Sequence, residues 1–171
     1  MTVPTWRPMR PDDLSAVVAL ADRIHVAHPE QPAVFAERLT LHAEGCFVLA
    51  APAGVAGYAV SHPWTFGAPP ALDTLLGALP ERPDTYYIHD VALDPAMRGT
   101  GAAAAIVARI VAHARTLALP HVSLVAVNGT APFWRRHGFA PCDAPDLAAK
   151  LTTYGDDAVL MLRPLPSTDA H

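Results

Sequence analysis

Apolar residues recur along the chain at two different periods, and the places where the period changes mark the elements. After Leu14 the apolar positions Val17, Val18, Ala21 and Ile24 fall on one face at helical spacing. Pro11-Asp12-Asp13 sets carboxylates just ahead of them, where a helix carries partial positive charge, so the first helix starts there, after a short strand near Trp6. Residues 32–44 predict a second helix, ended by Gly45. Two apolar runs, Cys46 to Ala51 and Val55 to His62, are split by Pro52-Ala53-Gly54 and predict an antiparallel hairpin. Proline and glycine then crowd residues 63–84, where only 71–79 has the makings of a helical turn or two. A loop of this length in a compact chain is often a binding loop. Beyond it the pattern predicts a strand over 86–93, a helix over 101–119, a strand over 121–127, a short helix over 131–137 and a last strand over 158–163.

Strand, helix, strand over 86–127 is a βαβ unit, and the preceding hairpin makes the sheet mixed. The fold class is therefore α/β (α+β), with helices flanking a mixed central sheet. A chain of 171 residues, 51% of them hydrophobic, buries a real core but is short for two domains. One domain over 1–171 is expected, ordered from about 5 to 163, with a flexible tail over 164–171. A net charge of −4 argues against a nucleic-acid or anionic-membrane partner. The most apolar window, from Ala102 to Leu119, is broken by Arg109, His113 and Arg115 and does not read as a membrane span. Cys46 and Cys142 make neither a disulfide framework nor a zinc site, which fits a reducing compartment and favours the cytoplasm. His25, His28 and His42 lack ligand spacing with cysteines or carboxylates, so no metal site is expected.

The chemistry concentrates in Asp90 to Val107, DVALDPAMRGTGAAAAIV. A β-like run halts at Asp94-Pro95, passes through Arg98-Gly99-Thr100-Gly101 and enters an alanine-rich helix. The first amides of a helix lack intrahelical acceptors and sit at the positive end of its dipole, so glycines there leave an anion free to approach. Arg98 adds a fixed cation with forked donors. The plainer reading is a tight strand-to-helix turn. No Gly-x-x-x-x-Gly-Lys-Ser/Thr loop occurs, and alanines follow where the dinucleotide fingerprint would continue.

Arg98, Gly99-Thr100, Gly101, Ala102, Ala103 resembles the signature of the GNAT superfamily of N-acetyltransferases: Arg or Gln, two residues, Gly, one residue, then Gly or Ala. VALDPAMRG before it, VNGTAPFWRRHGF after it and the opening RPMRPDDLSAVVAL resemble the same family in order and spacing. The similarity covers most of residues 6–163 and is weakest over 63–84. It implies a GNAT-like, mostly antiparallel central sheet with the βαβ unit at its middle. It also implies acetyl-coenzyme A as cosubstrate, its pyrophosphate on the amides of Arg98, Gly99, Thr100, Gly101, Ala102 and Ala103. The pantetheine arm would run beside the backbone of Val91, Ala92 and Leu93, the Val91 amide donating to the thioester oxygen. Asn128, Phe133, Trp134 and Arg136 would flank the arm. For Phe133 and Trp134 ordinary core packing stands beside that role, and for Arg136 an exposed helix face.

A protonated amine must lose a proton before it attacks a thioester, so a base is wanted. His89 holds a position similar to that of a His or Glu base in some small-amine members of the family, and Asp90 resembles a contact to the substrate ammonium. Alternation along a strand sends the two side chains to opposite faces unless a bulge re-aims one. A hydrogen-bonded core histidine and a satisfied strand aspartate are the plainer readings. Trp134 stands where many members carry a tyrosine acid, and indole is not an acid at neutral pH. Two function classes follow: an acetyl-coenzyme A dependent N-acetyltransferase acting on an amine of a small molecule or peptide, or a non-catalytic acyl-coenzyme A binding or sensing module. The resemblance also allows a homodimer, though no heptad or apolar patch derives one.

Overall fold

The computed structural model describes residues 3–167. Among the described residues seven strands are ordered β1-β2-β3-β4-β5-β7-β6: β1 Thr5–Pro8, β2 Cys46–Ala51, β3 Gly54–Trp64, β4 Thr85–Leu93, β5 His121–Ala126, β6 Ala140–Pro141 and β7 Val159–Pro164. Five helices accompany them: α1 Leu14–Ile24, α2 Pro32–Leu41, α3 Ala102–Thr116, α4 Ala131–Arg136 and α5 Ala148–Leu151. The fold is the expected mixed α/β class. The chain divides into two compact units, the first comprising residues up to His62 with Pro70–Leu79 and Ile88–Ile110, the second Pro63–Pro69, Pro80–Tyr87 and the chain from Val111.

In the first unit β1, β2 and β3 form an antiparallel ladder, with Trp6 opposite Leu49 and Val48 opposite Tyr58. The apolar face read from the sequence of α1 closes on this ladder. Val17 and Leu20 of α1 and Phe35 and Leu39 of α2 pack with Val48, Tyr58, Val60 and Ala92 in one buried cluster. Phe35 meets the Tyr58 ring edge-on at 5.7 Å. Cys46 lies in the same cluster, and burial pushes its thiol up to about 12.

The second unit supplies the parallel pair that a βαβ unit requires, with Tyr86 of β4 opposite Val122 of β5. On the other side of β5, β7 runs antiparallel, Leu124 facing Met161. The Thr85 hydroxyl hydrogen-bonds both His121 Nδ1 and Ser123 Oγ at 2.8 Å, satisfying polar groups between parallel strands.

Three features differ from the sequence reading. Residues 71–79 form no helix, because their backbone bonds to α2: the amides of Leu76 and Gly77 donate to Glu37 at 2.6 and 3.0 Å, and Arg38 donates to the Thr74 carbonyl at 3.1 Å. β6 and the short helical turns over 145–154 were not foreseen; each is too brief to carry a period. Pro164 ends β7 opposite His121, and buried Leu165 donates its amide to the Pro120 carbonyl at 2.8 Å. Of the expected tail, 164–167 are thus at least partly fixed, and 168–171 lie outside the described residues.

Gly57 is where β3 leaves no room. A methyl group there would stand 2.7 Å from a Leu93 methyl and 3.0 Å from the Ala92 carbonyl oxygen. Gly57→Ala is expected to cost about 1–3 kcal/mol by overpacking, read as a lower urea midpoint at unchanged m-value.

Candidate active site

β4 stops because Asp94 and Pro95 turn it. The Asp94 amide still donates to Ala56 of β3 at 2.8 Å, its carboxylate then accepts the Ala96 amide at 2.9 Å, and Pro95 opens a single 3-10 turn. Gly99 and Gly101 follow with φ of 75° and 84°, left-handed values that side chains disfavour. A Cβ at either glycine would meet nothing within 4 Å. The turn from Arg98 to Gly101 is exposed, and the amides of Ala102 and Ala103 open α3 in the first turn, where no intrahelical acceptor exists. Trp6 Nε1 donates to the Ala102 carbonyl at 2.8 Å, fixing the helix start from β1. The six residues expected to cradle a pyrophosphate are contiguous and exposed or half-buried; the Thr100 hydroxyl accepts the Ala102 amide at 3.4 Å, and the Arg98 and Thr100 amides donate to the Pro95 and Met97 carbonyls.

His89 and Asp90, next to each other in β4, each find a partner in the segment between α1 and α2. His89 Nε2 lies 2.7 Å from Glu30 Oε1, with the side chains only 3% and 9% exposed. Burial by itself would raise the Glu30 carboxyl; the His89 hydrogen bond and charge, the Asp73 amide and the Arg38 charge outweigh it and hold the carboxyl below its ordinary value. Asp90 accepts from the Tyr58 hydroxyl, and His25 Nε2 lies 3.1 Å from its Oδ1 and 3.0 Å from its Oδ2. The Asp90 hydrogen bond raises the His25 imidazole above its ordinary value against the cost of burial, with further help from the charges of Asp90 and Glu30. Burial, with the same carboxylates, pushes the Tyr58 phenol well above its usual range. Val91 and Leu93 are half-buried, while the Ala92 side chain belongs to the core cluster.

In the second unit Asn128 is exposed in a left-handed turn, φ 54°. The Asp157 carboxylate holds that turn, accepting the amides of Asn128 and Gly129 at 3.2 and 2.6 Å. Trp134 is a buried residue, edge-on to Phe133 at 5.0 Å and to Phe139 at 5.4 Å. That is the core packing set beside its coenzyme role. Phe133 is half-buried and tilted against His137 at 4.6 Å, and Arg136 is exposed. His137 is lowered by burial and by the charges of Arg136 and Arg163. Among the described residues no group of three or more His, Cys, Asp or Glu side chains could hold a metal ion, and no helix is long and apolar enough to cross a membrane.

Sequence reasoning missed Glu30, His25, Tyr58 and Asp157. No local pattern singles them out, since Glu30 is 59 residues from His89 and His25 is 65 from Asp90.

Residues 14–139 match the model of a family described as the acetyltransferase (GNAT) family. Among solved structures, the GphF GNAT-like decarboxylase in complex with isobutyryl-CoA is 18% identical with a TM-score of 0.76, the match covering 95% of this chain and 100% of that one. Rv2747 from Mycobacterium tuberculosis, in complex with CoA and NLQ, is 23% identical with a TM-score of 0.69, covering 95% and 100%. The ribosomal-protein-S18-alanine N-acetyltransferase from Escherichia coli is 17% identical with a TM-score of 0.65, covering 99% of each chain. At these identities the likeness is one of fold. No curated protein sequence matches the chain.

The His25–Asp90 pair makes stability depend on pH with a definite sign. A histidine whose folded value is raised stabilises fully below its ordinary value, 6.5, and loses that contribution as pH rises through the folded value. The difference in melting temperature between the parent and His25→Gln is therefore expected to be largest near pH 6 and to shrink toward pH 9. A difference that grows with pH contradicts the charge assignment.

Proposed function

Because the chain belongs to the GNAT acetyltransferase family, we propose that it transfers an acetyl group from acetyl-coenzyme A to an amine of a small molecule or a peptide. The observation that carries this reading is the exposed turn before α3, where Gly99 and Gly101 leave open space, reached directly from the strand that bears His89 and Asp90. A diphosphate suits that place: two exposed left-handed glycines keep the approach to the helix start clear of side chains, the helix dipole adds partial positive charge, and Arg98 supplies a full one, although the Arg98 and Thr100 amides are already bonded to the Pro95 and Met97 carbonyls. Bound acetyl-coenzyme A supplies the electrophilic thioester and a thiolate that is already a fair leaving group. Arg98, Gly99, Thr100, Gly101, Ala102 and Ala103 bind its pyrophosphate, the backbone of Val91, Ala92 and Leu93 holds the arm, and the Val91 amide donates to the thioester oxygen. Asn128, Phe133, Trp134 and Arg136 are coenzyme contacts on the family resemblance alone, and Trp134 packs edge-on against Phe133.

His89 takes the proton that the attacking amine must lose. Asp90 contributes negative charge, not proton transfer, because Tyr58 and His25 already occupy its oxygens. An acceptor that enters as an ammonium ion is favoured by this charge. Trp134 cannot serve as an acid, so the thiolate takes its proton from solvent. The cytoplasm is the compartment that fits the two free cysteines, and the net charge of −4 disfavours nucleic acid and anionic membrane as partners. A homodimer is compatible with this reading and contributes nothing to it.

The rival, a non-catalytic acyl-coenzyme A binding module, rests on the missing tyrosine. Free-thiol release from acetyl-coenzyme A with a panel of primary amines and peptides separates the two, and a thermal-shift screen of acceptors with coenzyme A present narrows the panel. Arg98→Ala is expected to weaken coenzyme A about tenfold or more in calorimetry. Gly101→Val is expected to weaken it further, because valine strains a left-handed residue and places a side chain in the anion's path. Unchanged affinity in both variants rejects the site. His89→Ala should lower kcat about 10²- to 10⁴-fold at retained coenzyme affinity; full turnover in that variant removes His89 from the mechanism.

A further inference from the structure

Glu30 occupies a position that local sequence does not explain. It lies in irregular chain between α1 and α2, yet its side chain is 9% exposed and both carboxylate oxygens are used. Oε1 meets His89 Nε2 at 2.7 Å, and Oε2 accepts the Asp73 amide at 3.0 Å. Asp73 answers in kind: its Oδ1 accepts the Gln31 amide at 2.7 Å. Glu30 and Gln31 on one side and Asp73 on the other are thus tied by two side-chain-to-backbone bonds of opposite sense, akin to a capping box carried out across a loop. Asp73 adopts a left-handed φ of 55°, a conformation that aspartate tolerates better than most side chains and that its surroundings hold in place. The surroundings are visible, since Glu37 and Arg38 of α2 hold Thr74, Leu76 and Gly77 immediately after it.

We propose that Glu30, clamped by Asp73, is a positioning residue that fixes His89 as its Nε2–H tautomer and so leaves Nδ1 as the atom that accepts the amine proton. An ionised carboxylate can only accept, so the imidazole nitrogen facing it must carry hydrogen. The neutral ring then has its lone pair on Nδ1. In transfer, the ammonium first gives one proton to solvent; the neutral amine then attacks the thioester carbon, its N–H bond breaks as the Nδ1–H bond forms, the C–S bond breaks to release a thiolate that takes a proton from solvent, and the resulting imidazolium keeps its Nε2–H bond to Glu30. This inference rests on the reading of His89 as the base, but its main test is independent of turnover.

The test is long-range proton–nitrogen NMR on the full chain, with the His89 signals assigned by their loss in His89→Gln. Spectra are followed upward in pH until the ring reports its neutral form. The parent is expected to show Nε2 protonated and Nδ1 bare. Glu30→Met keeps the volume and removes the acceptor, and it should abolish that preference while coenzyme A affinity stays within about twofold. Asp73→Gly tolerates the left-handed backbone and removes the clamp, and it should give a partial loss; it carries the test if the methionine variant fails to fold. In the thiol-release assay both variants should lower kcat about 10- to 100-fold with KM nearly unchanged, less than His89→Ala does. A parent His89 protonated on Nδ1, or an unaltered tautomer in both variants, overturns the proposal. Loss of the tautomer with kcat intact overturns the positioning role. Full activity of His89→Ala sinks the underlying base assignment and leaves the tautomer result standing.

Discussion

The hand-over from β4 to α3 sets what the site can do. A strand uses its backbone amides sideways and a helix uses them along its axis, so a chain passing from one to the other must leave several amides without either kind of partner. Here Asp94 and Pro95 stop the ladder, the Met97, Arg98 and Thr100 amides turn back onto carbonyls of the same turn, and Gly99 and Gly101 carry the chain through left-handed turns with open space where a side chain would stand. Burying that turn under the protein's own side chains would have closed it to any ligand. Trp6 anchors the helix by a carbonyl, the one backbone group whose use leaves the donors untouched.

The acid–base groups obey a different constraint, the cost of burying charge. His89 and Glu30 are nearly inaccessible, and Asp90 is placed beside a buried phenol. Each is tolerated because a complementary group sits within hydrogen-bond distance, Glu30 for His89 and His25 for Asp90, both from the segment between α1 and α2. That segment has no regular structure of its own. Its order derives from what it binds, including the Asp73 amide, so the long proline-rich connection after β3 takes part in arranging the histidines.

Local signals were legible in the sequence and distant ones were not. The periods of α1 and α3, the hairpin around Gly54 and the glycines at 99 and 101 are each written within a few residues, and their elements stand within a few residues of expectation. His89 and Asp90 could be read as candidates, but their satisfaction by Glu30, Tyr58 and His25 could not, because pairing over such separations is decided by packing. Residues 71–79 mislead for the same reason: their apolar content permits a helical turn, while the side chains of α2 take the backbone bonds that a helix would need. Trp134 shows a third case, in which a motif position is filled by a residue that the second unit uses to build its own interior.

The buried position of Cys46 has a practical corollary for spectroscopy. With its sulfur enclosed and its ionisation suppressed, maleimides and aromatic disulfide reagents have one accessible target, the half-buried Cys142 next to Asp143. A single fluorophore or spin label can be attached there without engineering out the other thiol, and colourimetric thiol readings carry a constant background from one side chain at most.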